Sequence, residues 1–200
     1  MEIPELISLT TFATVAAFTP GPNNLLLAAS SANFGWRKTL PHMVGVIAGF
    51  TLLVTIAALG LGWLLTALPG LQLTLRILGL AFILFIAYSL AASHSLDRKT
   101  LTRPMRFIEA VLFQWINPKG VVVIISAISA YTDTSTVILS EVLILVALFF
   151  WVTLGSVLLW AFSGALIASK LDTERKLMIF NRSAALLLVI SVAPVLLDLL

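Results

Sequence analysis

The chain has 200 residues, of which 60% are hydrophobic and only 10% are charged. Soluble domains are roughly half apolar and about a quarter charged, so this composition excludes a soluble globule and predicts an integral membrane protein. The net charge of +3 is spread over short segments, which gives no nucleic-acid-binding face, and the absence of cysteine excludes disulfides and thiolate metal sites.

The apolar stretches predict six membrane-spanning helices, since each span needs about 20 residues. Their predicted ranges are about 6–31, 40–67, 71–92, 107–131, 139–167 and 178–198. The short connections cannot bury a core of their own, so we predict one transmembrane domain over residues 1–200, with halves of about 1–96 and 97–200. The first stretch follows Glu2 and Glu5 with no basic residue before it, unlike a signal peptide, and is expected to remain as a span.

Basic residues are confined to alternate connections of this arrangement. The connections after the first, third and fifth spans carry nine of them, whereas 67–70 and 132–138 carry none. The nine are Arg37, Lys38, Arg98, Lys99, Arg103, Arg106, Lys170, Arg175 and Lys176. By the positive-inside rule, the three basic connections lie in the cytoplasm and both termini lie outside it.

The two halves contain three predicted spans each, so the second half crosses the membrane in the opposite direction to the first. Inverted halves are common in transporters, whose substrate site lies at the midplane between helices interrupted at corresponding positions. The first span contains Thr19, Pro20, Gly21, Pro22, Asn23 and Asn24, and the fourth contains Gln114, Asn117, Pro118, Lys119 and Gly120. We therefore predict an all-α membrane protein with six helices in two inverted three-helix halves, the first and fourth helices being broken at the midplane.

The prolines of these two segments predict a polar cavity. They leave the carbonyl groups of Ala16, Phe18 and Gln114 without helical partners, and non-helical backbone inside a bilayer is tolerated only where protein or water covers it. The half-helices after the breaks point their N-termini at the cavity, where they and Lys119 should bind a carboxylate. Freed carbonyls and side-chain amides could hold an ammonium group beside it. All the residues of the two segments are thus predicted to bind an amino acid, and no catalytic residue, cofactor or metal is expected.

Lys119 has a structural as well as a functional interpretation. A charge inside the membrane is a functional candidate, but it could also form a structural salt bridge with Glu109 or Glu141. Glu109 lies more than two turns earlier on the same predicted helix, which makes it a poor partner. A single proline kink is often only structural, whereas two breaks at equivalent depths favour a function.

The two segments, with Gly35 and the basic pair Arg37 and Lys38 after the first, resemble the LysE/RhtB family of bacterial amino-acid exporters. The resemblance is specific at these motifs and compositional over the rest of the chain. It implies a six-span protein of the bacterial inner membrane that exports amino acids such as lysine, homoserine, threonine, cysteine or leucine, driven by the proton motive force. Its expected partners are an amino acid, protons and membrane lipid.

The substrate class and the alternative functions are inferred from residues and motifs that the sequence lacks. A lysine-specific pocket needs a buried carboxylate, and none of the nine acidic residues lies beside the breaks, so neutral amino acids are preferred. The alternative function is an oligomeric channel for small solutes, which needs rings of polar residues. An intramembrane enzyme is disfavoured because no nucleophile–base pair or metal-binding cluster is present in a recognisable motif.

Three further residues carry predictions of their own. Gly45 and Gly49 form a GxxxG pattern, which predicts close packing inside the chain rather than a seam between two copies, although a homodimer stays open. His42 could pass protons near neutral pH, but it is expected to be a solvated histidine at the inner interface.

Overall fold

The computed structural model describes residues 1, 3–61, 69–92, 103–132 and 138–197. In this part of the chain the helices are α1 (Ile3–Phe18), α2 (Pro22–Phe34), α3 (Trp36–Ile56), α4 (Pro69–Ala91), α5 (Phe107–Ile116), α6 (Pro118–Tyr131), α7 (Leu139–Ala168) and α8 (Glu174–Leu197). A π-helical turn, Ala57–Leu61, continues α3. The described residues form no strand, and the all-α prediction is confirmed for them.

The helix boundaries differ from the predicted ones for local reasons. α3 begins at Trp36 rather than near residue 40, because Gly35 adopts a φ of 85° and turns the chain sharply after α2. α8 begins at Glu174 rather than near 178, because Thr173 caps a polar first turn: its Oγ1 accepts a hydrogen bond from the backbone N–H of Lys176 at 3.3 Å. Residues 62–67 of the second predicted span lie outside the described residues.

Within the described ranges, three helices are long and apolar enough to cross a membrane: Trp36–Leu59, Leu139–Ala168 and Glu174–Pro194. Taken together as one bent span, α5 and α6 raise this number to four. α1 and the segment Ile77–Ala91 of α4 are shorter apolar helices. The protein is therefore a multi-pass membrane protein, while its division into six spans stays a prediction.

The helices bury polar side chains and turn large apolar ones outward. Gln114, Asn117 and Asn181 are at most 3% exposed, whereas Trp151 and Phe162 are 66% and 56% exposed. Such an apolar surface is compatible with the hydrocarbon core of a membrane, in which buried polar groups must form hydrogen bonds within the protein. Polar groups that could form a site are consequently found in the interior.

Glycines bring the helices around this interior into close contact. A Cβ atom on Gly45 would lie 2.7 Å from the Cβ of Ala110 in α5, and one on Gly49 would lie 2.7 Å from the Cα of Val111. The GxxxG pattern thus packs α3 against α5 within the chain, as predicted. Gly164 allows the same close approach of α7 to the backbone of α2.

Two groups of helices surround the interior. α2 and α7 pack together, as do α3 and α5, and α3 also contacts α7. α4 and α8 pair with each other and lean on α2 through a shared apolar cluster that includes Leu26, Ile83 and Leu188. The end of α1, the start of α2 and the start of α6 meet beside α3 and α7.

Candidate functional site: a polar cavity between interrupted helices

The first interruption lies between α1 and α2. Pro20 and Pro22 lack the N–H groups that would continue the α1 ladder, so α1 ends at Phe18 and α2 begins at Pro22. Gly21 precedes α2 in an extended conformation, and Pro22 occupies the first helical turn, where a missing N–H costs nothing. The chain therefore leaves one helix and enters another within three residues.

The second interruption separates α5 from α6 at one residue, Asn117. α5 ends at Ile116 and α6 begins at Pro118, again with proline in the first turn. The two helix axes are bent by 60° at this point. Asn117 is extended, with φ of −77° and ψ of 105°, so it belongs to neither helix.

Side chains satisfy the carbonyl groups at the end of α1. Thr19 Oγ1 donates a hydrogen bond to the carbonyl oxygen of Ala16 at 3.1 Å. Asn24 Nδ2 donates to the carbonyl oxygens of Ala17 and Thr19 at 2.7 and 2.9 Å, and Ser156 Oγ of α7 donates to Ala17 at 2.6 Å. Of the carbonyl groups predicted to need a polar partner, that of Ala16 is bonded by Thr19, and the bonds from α2 and α7 to Ala17 and Thr19 hold the end of α1 to both helices.

Lys119 also binds the end of α1. Its Nζ donates to the carbonyl oxygen and to Oγ1 of Thr19, both at 2.9 Å, and to the carbonyl oxygen of Pro20 at 3.3 Å. The proposed structural partner Glu109 instead forms an ion pair with Arg103 at 2.6 Å. Lys119 is therefore held by dipoles of the interrupted backbone, and its positive charge stays at the junction of the two breaks.

A cavity of about 70 Å³ lies where the two interruptions meet. It is lined by Ala13, Ala16, Ala17, Gly21, Asn23, Asn24, Val46, Phe50, Asn117, Lys119, Gly120, Val123, Phe149, Thr153, Ser156 and Val157. We call it the central cavity. Six predicted residues therefore share one cavity, and they come from both segments.

The other predicted residues surround this cavity. Gln114 is fully buried and bonded to Asn23, as described below. Thr19 and Pro20 hold the Lys119 ammonium, and Pro22 and Pro118 start the two helices whose first residues face the cavity. Their predicted roles in binding a substrate stay predictions.

Two helix N-termini without side-chain caps point at the central cavity. Gly21 and Asn117 are the N-cap residues of α2 and α6, and neither helix has a side-chain hydrogen bond at its cap. In these two helices, the first backbone N–H groups that donate to the carbonyl oxygens of the N-cap residues are those of Leu25 and Val121. The N–H groups before them have no place in the helical ladder, so each N-terminus offers donors and partial positive charge.

Amides and rings complete the walls of the cavity. Asn23 Nδ2 donates to Gln114 Oε1 at 2.6 Å, and Gln114 Nε2 donates back to Asn23 Oδ1 at 3.3 Å. Asn117 is 3% exposed, and its Oδ1 has no hydrogen-bond partner among the described residues. Phe50 and Phe149 meet edge to face, with ring centroids 6.0 Å apart, and form an apolar wall. The cavity thus combines donors, one free acceptor and an apolar surface.

Sequence reasoning missed the contribution of α7. Thr153 and Ser156 line the cavity from this helix and are 7% and 3% exposed. Three residues apart in an otherwise apolar span, they share one face of the helix. That spacing was the signal that could have found them.

The prediction for His42 was wrong. The residue is 1% exposed, and neither ring nitrogen has a hydrogen-bond partner in the described part of the chain. α3 packs closely on α5 through Gly45 and Gly49, and this contact draws the first turns of α3 into the bundle.

These features define a class of protein: a multi-pass membrane protein with a charged, polar cavity where helices end and begin at prolines, as carriers of small solutes have. The chain matches the LysE type translocator family over residues 14–198, and it belongs to that family.

The chain is similar to several bacterial proteins of this kind. It is 32% identical over 160 residues to the cysteine/O-acetylserine efflux protein of Salmonella typhi, covering 78% of this chain and 80% of the relative. It is 31% identical over 166 residues to the cysteine/O-acetylserine efflux protein of Escherichia coli (strain UTI89 / UPEC), covering 82% and 84%. No solved structure matches the chain significantly.

Proposed function

We propose that this protein exports small neutral amino acids and that the central cavity is its substrate site. The observation that carries the proposal is the meeting of two uncapped helix N-termini and Lys119 around one cavity. Backbone N–H groups at helix N-termini and an ammonium group are suited to a carboxylate. An α-carboxylate is the group that every amino acid shares, so this half of the site would recognise the class.

The rest of an amino acid finds complementary groups in the same cavity. The free Oδ1 of Asn117 is an acceptor for the substrate ammonium, and the backbone carbonyls at the end of α1 are already taken by Lys119 and Asn24. The side chain would face the wall formed by Phe50 and Phe149. The site residues we propose are those of the two predicted segments together with Thr153 and Ser156 of α7.

The preference for neutral side chains rests on charge and size. The lining residues of the central cavity include no aspartate or glutamate, so the side-chain ammonium of lysine would enter a positive site without a counter-ion. One water needs about 10–15 Å³ of such a cavity, so 70 Å³ holds a solute of roughly five to seven water volumes. The relatives named for cysteine and O-acetylserine efflux agree with a substrate of this size.

The membrane arrangement belongs to the same proposal. We infer six spans in the bacterial inner membrane, with α1 and α2 sharing the first span and α5 and α6 the fourth. The distribution of basic residues supports both termini outside the cytoplasm. The proton motive force would drive export, with one half of the chain moving against the other around the central cavity.

Counterflow in proteoliposomes tests the proposal. Vesicles that contain the purified protein and are loaded with unlabelled cysteine or O-acetylserine should take up the same labelled amino acid transiently, and lysine should compete at least tenfold less well. Asn117→Leu should abolish this uptake. Asn33→Leu is the matched control, because Asn33 bonds to Asn181 between α2 and α8, away from the cavity.

Two results would contradict the proposal. Flux that increases linearly with cysteine concentration and shows no counterflow would indicate a channel instead of a carrier. Equal competition by lysine would place the recognition of the side chain elsewhere.

A further inference from the structure

A second cavity of about 430 Å³ lies beside the inner turns of α2, α3 and α4 and the start of α5. Most of its wall is apolar, but Ser30, His42, Ser89, Arg103 and Glu109 also line it. The proposed topology assigns this side of the bundle to the cytoplasm, since Arg103 belongs to a basic connection. We call it the inner cavity.

His42 is the one titratable side chain among the buried residues of the described chain. A neutral imidazole has one donor and one acceptor nitrogen, and neither nitrogen finds a partner among the described residues. Leaving both unsatisfied is costly, so the ring calls for water or another mobile partner, which the adjoining inner cavity has room to supply.

The charged groups that face His42 across the inner cavity come from one segment. Glu109 lines the cavity and is bound to Arg103, which also lines it. The walls from α2 and α4 contribute the hydroxyls of Ser30 and Ser89, which do not titrate near neutral pH. On α3 itself the nearest charge is the exposed Lys38, one turn earlier. Because Glu109 and Arg103 are paired with each other, water in the inner cavity is the partner left for the imidazole nitrogens.

The inner cavity adjoins the central cavity. His42 and Val46 lie four residues apart on α3, about 6 Å along the helix, and they line the inner and central cavities respectively. On α2, Asn23 lines the central cavity and Leu26 the inner one. Two hydrogen bonds between the side-chain amides of Asn23 and Gln114 join α2 to α5 close to this junction.

We propose that His42 takes up and releases the coupling proton at the inner cavity, one helical turn from the amino-acid site. The proposal rests on the proposed function as a proton-driven exporter. In such an antiport, an imidazole nitrogen accepts a proton that arrives through the central cavity after the amino acid has left. The imidazolium then returns the proton to water in the inner cavity and becomes neutral again.

Replacing His42 should separate coupling from exchange. In proteoliposomes, wild-type protein should accumulate labelled cysteine when a pH gradient is imposed, and it should also exchange labelled for unlabelled cysteine without a gradient. His42→Gln should reduce gradient-driven accumulation at least tenfold, to the level seen without a gradient, and should keep exchange within about twofold. His94→Gln is the matched control, since the chain has only two histidines, and it should behave as wild type.

Each outcome of this experiment either supports or contradicts the role of His42. Normal gradient-driven accumulation by His42→Gln would overturn the proposal, as would an equal loss of exchange in a variant that melts like wild type. If neither His42→Gln nor His42→Asn folds, carbethoxylation of the His94→Gln protein should abolish accumulation and spare exchange, and hydroxylamine should reverse the effect. A reagent that leaves accumulation unchanged would contradict the proposal. A wild type that neither accumulates nor exchanges cysteine or O-acetylserine would overturn the proposed function itself.

Discussion

Replacing Lys119 by methionine tests the central cavity most directly. Methionine keeps an unbranched side chain of similar length and removes the charge. In the unaltered protein, Nζ donates to two oxygens of Thr19 at 2.9 Å and to the carbonyl oxygen of Pro20 at 3.3 Å. The Thr19 carbonyl keeps a second donor, Asn24 Nδ2 at 2.9 Å, so the variant leaves only part of this junction without a partner.

The expected magnitudes follow from these contacts. Loss of a hydrogen bond from a charged donor costs about 1.5–3 kcal/mol, and about 1 kcal/mol shifts Tm by roughly 2–4 °C in a chain of this length. We therefore expect Lys119→Met to melt roughly 3–12 °C lower and still fold. The same charged interaction with a substrate carboxylate predicts an affinity roughly 10- to 150-fold weaker, because 1.4 kcal/mol corresponds to a factor of ten.

Counterflow at limiting cysteine and thermal unfolding in detergent should be measured on the same preparation. Lys119→Arg is the charge-keeping control and should retain affinity better than the methionine variant. If Lys119→Met exchanges cysteine with unchanged affinity while Tm falls, the lysine only fastens α6 to α1, and the carboxylate site has been placed wrongly.

Three further predictions concern the breaks, the packing and the topology. Pro20→Ala and Pro118→Ala each restore an N–H that can extend the preceding helix, and the added hydrogen bond contributes about 1 kcal/mol net. Counterflow should be lost in both variants while Tm holds or rises. Normal counterflow with a lowered Tm in both variants would favour a purely structural kink. Gly164→Ala places a Cβ against the backbone carbonyl of Ala28 and should destabilise by about 1–3 kcal/mol, seen as a lower Tm. Gly70→Ala, with nothing within 4 Å of the added atom, should melt as wild type. Reporter fusions should place both termini outside the cytoplasm, and a C-terminal fluorescent protein that is bright in the cytoplasm would contradict the inverted halves.

The positions of the two interruptions could be predicted because proline acts locally. Pro20, Pro22 and Pro118 each remove an N–H whatever the surrounding fold, so the ends of α1 and α5 follow from the sequence. The inclusion of Asn24 and Lys119 in one cavity also followed, because both stand directly after a break.

The partners of those residues could not be predicted, since they depend on how distant helices rotate and approach. Lys119 binds backbone oxygens a hundred residues earlier in the chain, and no local pattern indicates that contact. The spacing of Thr153 and Ser156 marks one face of α7, but it does not show that this face meets the end of α1, where Ser156 bonds to Ala17. The burial of His42 could not be predicted for the same reason, because the close approach of α3 to α5 is set by packing and not by sequence position.

The hydrogen bonds from the Lys119 ammonium to the end of α1 affect which inorganic ions the protein can bind. Unwound carbonyl groups at the end of a half-helix are the ligands with which sodium-coupled carriers hold their ion, and here the oxygens of Thr19 and Pro20 surround an ammonium that belongs to the chain itself. An alkali cation approaching this position would meet a fixed positive charge and ligands already in use. Export should accordingly proceed at the same rate in sodium, potassium or choline buffers.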